Sequence, residues 1–157
     1  MNTYMISTLF RTYVRPILEF ANSVWCPVLV RDVNMLESVQ RRFTRLPYGA
    51  QRPSYEERLR TMKLSSLASR RLRGDLIFTF KALRNPLSPV RHLFTLNPDE
   101  RLRGHSLKLS RSDFRTSCRQ NFLPNRVFYA WNALPSLAID APSVNSFKNI
   151  IDSINLV

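Results

Sequence analysis

Glycine is almost absent from this chain, with 3 in 157 residues. A phosphate-cradling loop needs closely spaced glycines so that backbone amides can approach the ligand, and none can be built here. Cysteine is as scarce. Cys26 and Cys118 are too few and too far apart for the disulfide framework of a small secreted domain. Both are expected as buried thiols. With only His92 and His105 beside them, no pair stands at short zinc-ligand spacing, and no Cys/His nucleophile pair is suggested. Acidic residues are few, and no two aspartates are adjacent. A two-metal polymerase centre requires clustered carboxylates. Glu56-Glu57 falls in the first turn of a helix pattern, where acids favour the dipole, and Asp99-Glu100 lies in a proline-punctuated loop, where solvation is expected. No catalytic residue, metal ligand or cofactor is therefore expected. No apolar run approaches the ~18 residues of a membrane span. The N-terminus lacks the charged start and unbroken apolar stretch of a signal peptide. The expectation is an intracellular chain, nuclear or cytoplasmic, with no membrane partner.

What the chain has in excess is arginine: 20 against 4 lysines, with a net charge of +13. Residues 1–30 carry a net +1 and residues 127–157 a net −1, so the excess lies between Arg31 and Arg126. A compact domain so charged repels itself unless a polyanion or an acidic partner offsets the charge. Nucleic acid is the expected partner, as RNA, DNA or an RNA–DNA hybrid. The alternative is that the arginines dock on acidic protein surfaces, as a structural or interaction module. The hydrophobic fraction of 44% fits a folded chain.

Apolar spacing points to an all-α fold, an irregular bundle of about six to seven helices with at most a minor strand pair. Met5, Ile6, Leu9, Phe10 and Tyr13 mark a first helix. Pro16 suits the first turn of a second, with Ile17, Phe20, Ala21 and Val24 on one face and Pro27 as its stop. Leu36, Val39, Phe43 and Leu46 form a third stripe. Ser54 and Glu57 make a capping box. The longest helix pattern runs over 66–84, with Leu72, Leu76, Phe80 and Leu83 inward. A proline-rich stretch follows, with one short helix near 90–94 and an extended segment at 106–109. Pro124 opens a helix bearing Val127, Phe128 and Trp131, and Ser143 caps a last one bearing Phe147, Ile150, Ile151 and Ile154. The expected organisation is a helical part at 1–84, a connector at 85–104 and a helical part at 105–157, together one domain.

The arginines come in blocks. Arg41, Arg42 and Arg45 stand beside the Phe43 stripe, and Glu37 is placed to pair with Arg41 one turn on. Arg70, Arg71 and Arg73 open the long helix, where cations oppose the dipole and an anion would relieve them. Arg101, Arg103, Lys108, Arg111, Arg115 and Arg119 form a second basic stretch through Gly104. Guanidinium binds phosphate bidentately, so arginine in preference to lysine favours nucleic-acid backbone over a merely solvated face. Tyr48 and Phe114, in loops beside arginines, are the better base-stacking candidates. Trp25 and Trp131 lie on apolar helical faces, where core packing is expected.

Six blocks in order carry a family resemblance: YVRPILEFANSVWCP (13–27), LESVQRRFTRL (36–46), SYEERL (54–59), RRLRGDLIFTFK (70–81), RGHSLKL (103–109), and NRVFYAWNALP with APSVNSFKNIID (125–135, 141–152). Their order resembles the region after the catalytic palm in reverse transcriptases of non-LTR retrotransposons, the LINE-type and jockey-like elements. The resemblance implies a thumb-like fragment of an RNA-directed DNA polymerase that grips template-primer backbone with little sequence preference. It also implies contacts with the palm and endonuclease domains of a parent protein. The carboxylates of that palm have no counterpart here, so the resemblance assigns no catalytic residue. LPYGAQRP (46–53) departs from the family's usual Ile- and Gly-containing turn, and no role carries over to that loop.

Overall fold

The computed structural model describes residues 2–50, 53–98 and 104–154. Their fold is all-α, and the secondary structure beyond the helices is one isolated antiparallel bridge, Leu96 to Leu109. The helices are α1 (Thr3–Leu9), α2 (Arg15–Leu18), α3 (Val30–Phe43), α4 (Tyr55–Met62), α5 (Leu67–Arg84), α6 (Ser117–Gln120), α7 (Leu123–Asn132), α8 (Ser136–Ile139) and α9 (Val144–Ser153). The chain divides into two compact units, Met1–Arg71 and Leu72–Val157, so the division falls inside α5. Residues 85–98 of the expected connector lie within the second unit, and Phe94 joins its core.

In the first unit, Asn2 caps α1 by accepting from the Tyr4 amide at 2.9 Å. A π-helical turn, Phe10–Val14, joins α1 to α2. The turn has a packing reason. Ile6, Phe10, Val14 and Leu18 face the small core, four residues apart. On an α-helix each such step drifts by about 40°, since 3.6 residues make a turn. The one extra residue of a π turn resets that drift. Met5, Leu9 and Tyr13, expected on the same inward face, are exposed. The core is completed by Met62 and Leu64, with Phe43, Tyr48 and Leu59 against it. Phe10 and Phe43 meet at 5.2 Å between ring centroids.

The expected second helix stops at Leu18, well short of Pro27. Glu19 binds Arg70, the Asn22 amide donates to the Arg71 carbonyl at 2.9 Å, and Ala21 takes a left-handed φ of 50°. Tertiary bonds thus override the apolar periodicity. Ile17 (76%), Phe20 (79%) and Val24 (80%) are left exposed, as is Trp25 (53%), which was expected in the core. The cysteines also depart from expectation: Cys118 is exposed and Cys26 only half-buried.

The third helix turns a polar face inward. Glu37, Gln40 and Thr44 are buried, whereas Leu36 and Phe43 are half-buried and Val39 and Leu46 exposed. Glu37 accepts from the Tyr55 hydroxyl and, at 3.0 Å, from the Leu67 amide that opens α5. Gln40 donates to the Tyr55 hydroxyl at 2.9 Å and to the Ser65 carbonyl at 3.0 Å. Burial, then the bond to Glu37, pushes the Tyr55 phenol well above its usual range. Glu37 therefore spends its carboxylate on Tyr55 and α5, not on Arg41 as expected. Ser54 and Glu57 form the capping box of α4, with bonds of 3.2 and 2.8 Å. At its other end, Ser7 and Arg11 donate to the Met62 carbonyl at 2.9 and 3.0 Å.

The second unit has the larger apolar core. Leu76, Phe80 and Leu83 of α5, Val127 and Trp131 of α7, and Phe147 and Ile151 of α9 pack together, as their spacing predicts. Phe80 stacks on Phe147 at 4.2 Å. Pro124 sits in the first turn of α7, and the Ser143 hydroxyl caps α9 by accepting from the Ser146 amide. Of the expected extended segment at 106–109, only Leu109 forms a bridge, to Leu96, and the Asn132 amide fastens it by bonding both backbone groups of Leu109 at 2.8 and 3.0 Å. The Trp131 indole donates to the Leu107 carbonyl at 2.7 Å. His105 is buried, with Nε2 donating to the Trp131 carbonyl at 3.1 Å and Nδ1 unpartnered. Burial holds its pKa below the usual imidazole value.

Glu37→Gln leaves one acceptor oxygen for two donors, so a buried donor goes unmet. Denaturant unfolding of that variant should show a loss of about 2 kcal/mol. For His105, the unfolded chain binds more protons in the window below its unfolded pKa of about 6.5, so its contribution is complete above that value and lost as pH falls through the lower folded pKa. The melting midpoint should accordingly fall between pH 7.5 and pH 5.5, and by less in His105→Asn; equal falls would exclude His105 as a source.

Candidate nucleic-acid interface

The expected arginines separate into two groups. Arg41, Arg42 and Arg45 are all exposed at the C-terminal end of α3, where their charge also favours the helix dipole. Among the described residues, no carboxylate lies within 4.0 Å of any of them. The Arg41 guanidinium rests 5.0 Å from the centre of the Tyr55 ring.

The block at the start of α5 is placed differently. Arg70 makes a two-pronged pair with Glu19. Arg73 makes another with Asp152 in the second unit, at 2.6 and 2.8 Å, and that pair raises its pKa. Arg71 is buried, and one terminal nitrogen of its guanidinium has no partner. The dipole conflict expected at this helix start is met from within, by Glu37 on the Leu67 amide and Glu19 on Arg70.

Lys108 is half-buried and donates to the Asn132 carbonyl at 3.4 Å, at the end of α7. Gly104, at φ 109°, admits this arrangement, because a Cβ there would meet the Lys108 Cε at 3.0 Å. Arg103 and Asp99-Glu100 lie outside the described residues. Of the stacking candidates, Tyr48 is half-buried against the first core with its hydroxyl buried and unpartnered. Phe114 is covered by Arg111, whose guanidinium lies 4.8 Å from that ring and bonds the Tyr129 hydroxyl at 2.9 Å.

Sequence reasoning missed Arg58. It is 3% exposed, and its Nε is buried with no partner. Its guanidinium lies 5.6 Å from the Tyr55 ring centre. The missed signal is positional: Tyr55, Arg58 and Met62 recur at helical spacing, which puts Arg58 on the covered face of α4. One further buried ion pair belongs to the second unit, where Arg126 forks onto Asp75 with two bonds of 2.8 Å. Burial pushes the Asp75 carboxyl up, and Arg126 opposes that shift.

No group of three potential metal ligands comes together among the described residues, and none of their helices is long and apolar enough to cross a membrane. No protein-family model, curated protein or solved structure matches this chain significantly.

The two forked pairs in the second unit should respond unequally to truncation. Arg73→Ala breaks a solvent-exposed pair and should cost less than about 1 kcal/mol. Arg126→Ala removes two bonds from a buried carboxylate and should cost more than Arg73→Ala, with chemical denaturation as the readout.

Proposed function

We propose that this chain binds nucleic acid through the phosphate backbone, as a thumb-like fragment of a non-LTR retrotransposon RNA-directed DNA polymerase. The ligand in this reading is RNA or an RNA–DNA template-primer, held with little sequence preference. One observation carries it: Arg41, Arg42 and Arg45 are exposed together at the end of α3 with no carboxylate within 4.0 Å among the described residues. Arg70 and Arg73, by contrast, have acidic partners. The order of the sequence blocks supports the family origin. The proposed interface is therefore the α3 end.

A second reading is favoured by a different observation. Tyr13, Ile17, Phe20, Val24 and Trp25 are exposed close together in sequence, and exposed apolar surface of this kind marks a docking face. In that reading the chain is an interaction module that meets other domains of a parent polymerase or an acidic partner.

Fluorescence anisotropy with RNA, duplex DNA and an RNA–DNA hybrid over a salt series separates the two. Backbone binding predicts a steep salt slope, which Arg41→Ala, Arg42→Ala and Arg45→Ala together reduce by about 2.7 on B-DNA, at ~0.9 per phosphate contact. An unchanged slope removes the α3 assignment. A folded, monodisperse chain with no polyanion affinity favours the interaction module.

A further inference from the structure

Arg58 poses a physical problem. A buried cation is stable only when an anion or several acceptors replace its lost water. Among the described residues no carboxylate forms an ion pair with Arg58, and its Nε has no acceptor. Its surroundings add positive charge. Burial first, then the charge of Arg45, lowers its pKa, while Tyr55, Tyr48 and Glu56 act the other way. Arg41 shares the Tyr55 ring with it, at 5.0 Å against 5.6 Å for Arg58. Neighbouring acids are not recruited: Glu57 is committed to the Ser54 cap, Glu37 to Tyr55 and α5, and Glu56 is exposed and forms no ion pair among the described residues. Tyr48, also near Arg58, keeps a buried hydroxyl without a partner.

Two guanidinium groups therefore share one aromatic ring, Arg45 and Tyr48 act electrostatically on the buried one, and two buried polar atoms, Arg58 Nε and the Tyr48 hydroxyl oxygen, are unbonded. We propose that Arg41, Arg45, Arg58 and the Tyr48 hydroxyl form a site for one phosphoryl group, with Arg58 as its buried anchor. The site shares Arg41 and Arg45 with the proposed interface and takes its ligand class from that reading. A phosphoryl oxyanion suits it because guanidinium forks match phosphate oxygens and the bonds are charge-assisted. Tyr55 is the platform: its hydroxyl is tied to Glu37 and Gln40, which leaves the ring to carry the two arginines. The source of the phosphoryl group is either a nucleic-acid strand or free phosphate.

The test uses the whole chain. Thermal unfolding is followed in sodium phosphate and in sodium chloride of equal ionic strength, beside anisotropy with a single-stranded RNA. The site predicts a saturable phosphate-specific rise in melting midpoint that Arg58→Met abolishes and Arg45→Gln weakens. Arg45 is exposed, so its variant remains informative if Arg58→Met does not fold. Arg58→Met should also weaken RNA binding about tenfold, the loss of one charge-assisted contact. Absence of a phosphate-specific rise in the unaltered chain overturns the site, even if RNA binding with a steep salt slope persists and upholds the backbone reading. A rise unaffected by either variant overturns it as well. A rise that depends on Arg45 without RNA affinity supports the site, assigns free phosphate as its source and removes the backbone reading.

Discussion

The carboxylate of Glu37 is the point on which the first unit depends. One buried side chain on α3 receives the Tyr55 hydroxyl from α4 and the Leu67 amide at the start of α5. A buried carboxylate is tolerated only when its oxygens are bonded, and these bonds tie three helices at one place. Gln40 reinforces the knot from one turn further along α3. The apolar core of this unit is small, with Ile6, Phe10, Met62 and Leu64 as its buried members. Polar bonds therefore position what hydrophobic burial alone leaves loose, and they set the Tyr55 ring where Arg41 and Arg58 rest on it.

The scarcity of acids then decides what each arginine does. Glu19 and Asp152 are taken by Arg70 and Arg73, Asp75 by Arg126, and Glu57 by the Ser54 cap. None of these carboxylates pairs with Arg41, Arg42, Arg45 or Arg58. Two arginine blocks that look alike in sequence thus differ in kind. In one, Arg70 and Arg73 are paired with acids; in the other, no arginine has a carboxylate within 4.0 Å among the described residues. The second unit shows the contrasting economy of an apolar core. There the stack of Phe80 on Phe147 and the burial of Trp131 supply the packing, and polar groups fasten loops to it.

Much of the fold was legible. The capping box at Ser54, the helix opened by Pro124, the cap at Ser143 and the inward face of α5 follow from local chemistry, and all are present. These features depend on residues within one or two turns of each other. The misreadings share a different cause. The second helix ends early because Glu19 and Asn22 reach residues about 50 positions away. The apolar stripe of α3 was read inward, yet distant donors at Tyr55 and Leu67 turn its polar side to the interior. Trp25 was read as core because its helix was assumed to continue.

The sequence by itself determined the helical class, the capping of individual helices and a strong positive charge carried by arginine. Those properties are set by composition and by contacts between near neighbours along the chain. Only the tertiary structure decided which arginines remain without an acidic partner and that Arg58 is covered. Pairing and burial depend on which residues long-range contacts bring together, and no local spacing encodes that.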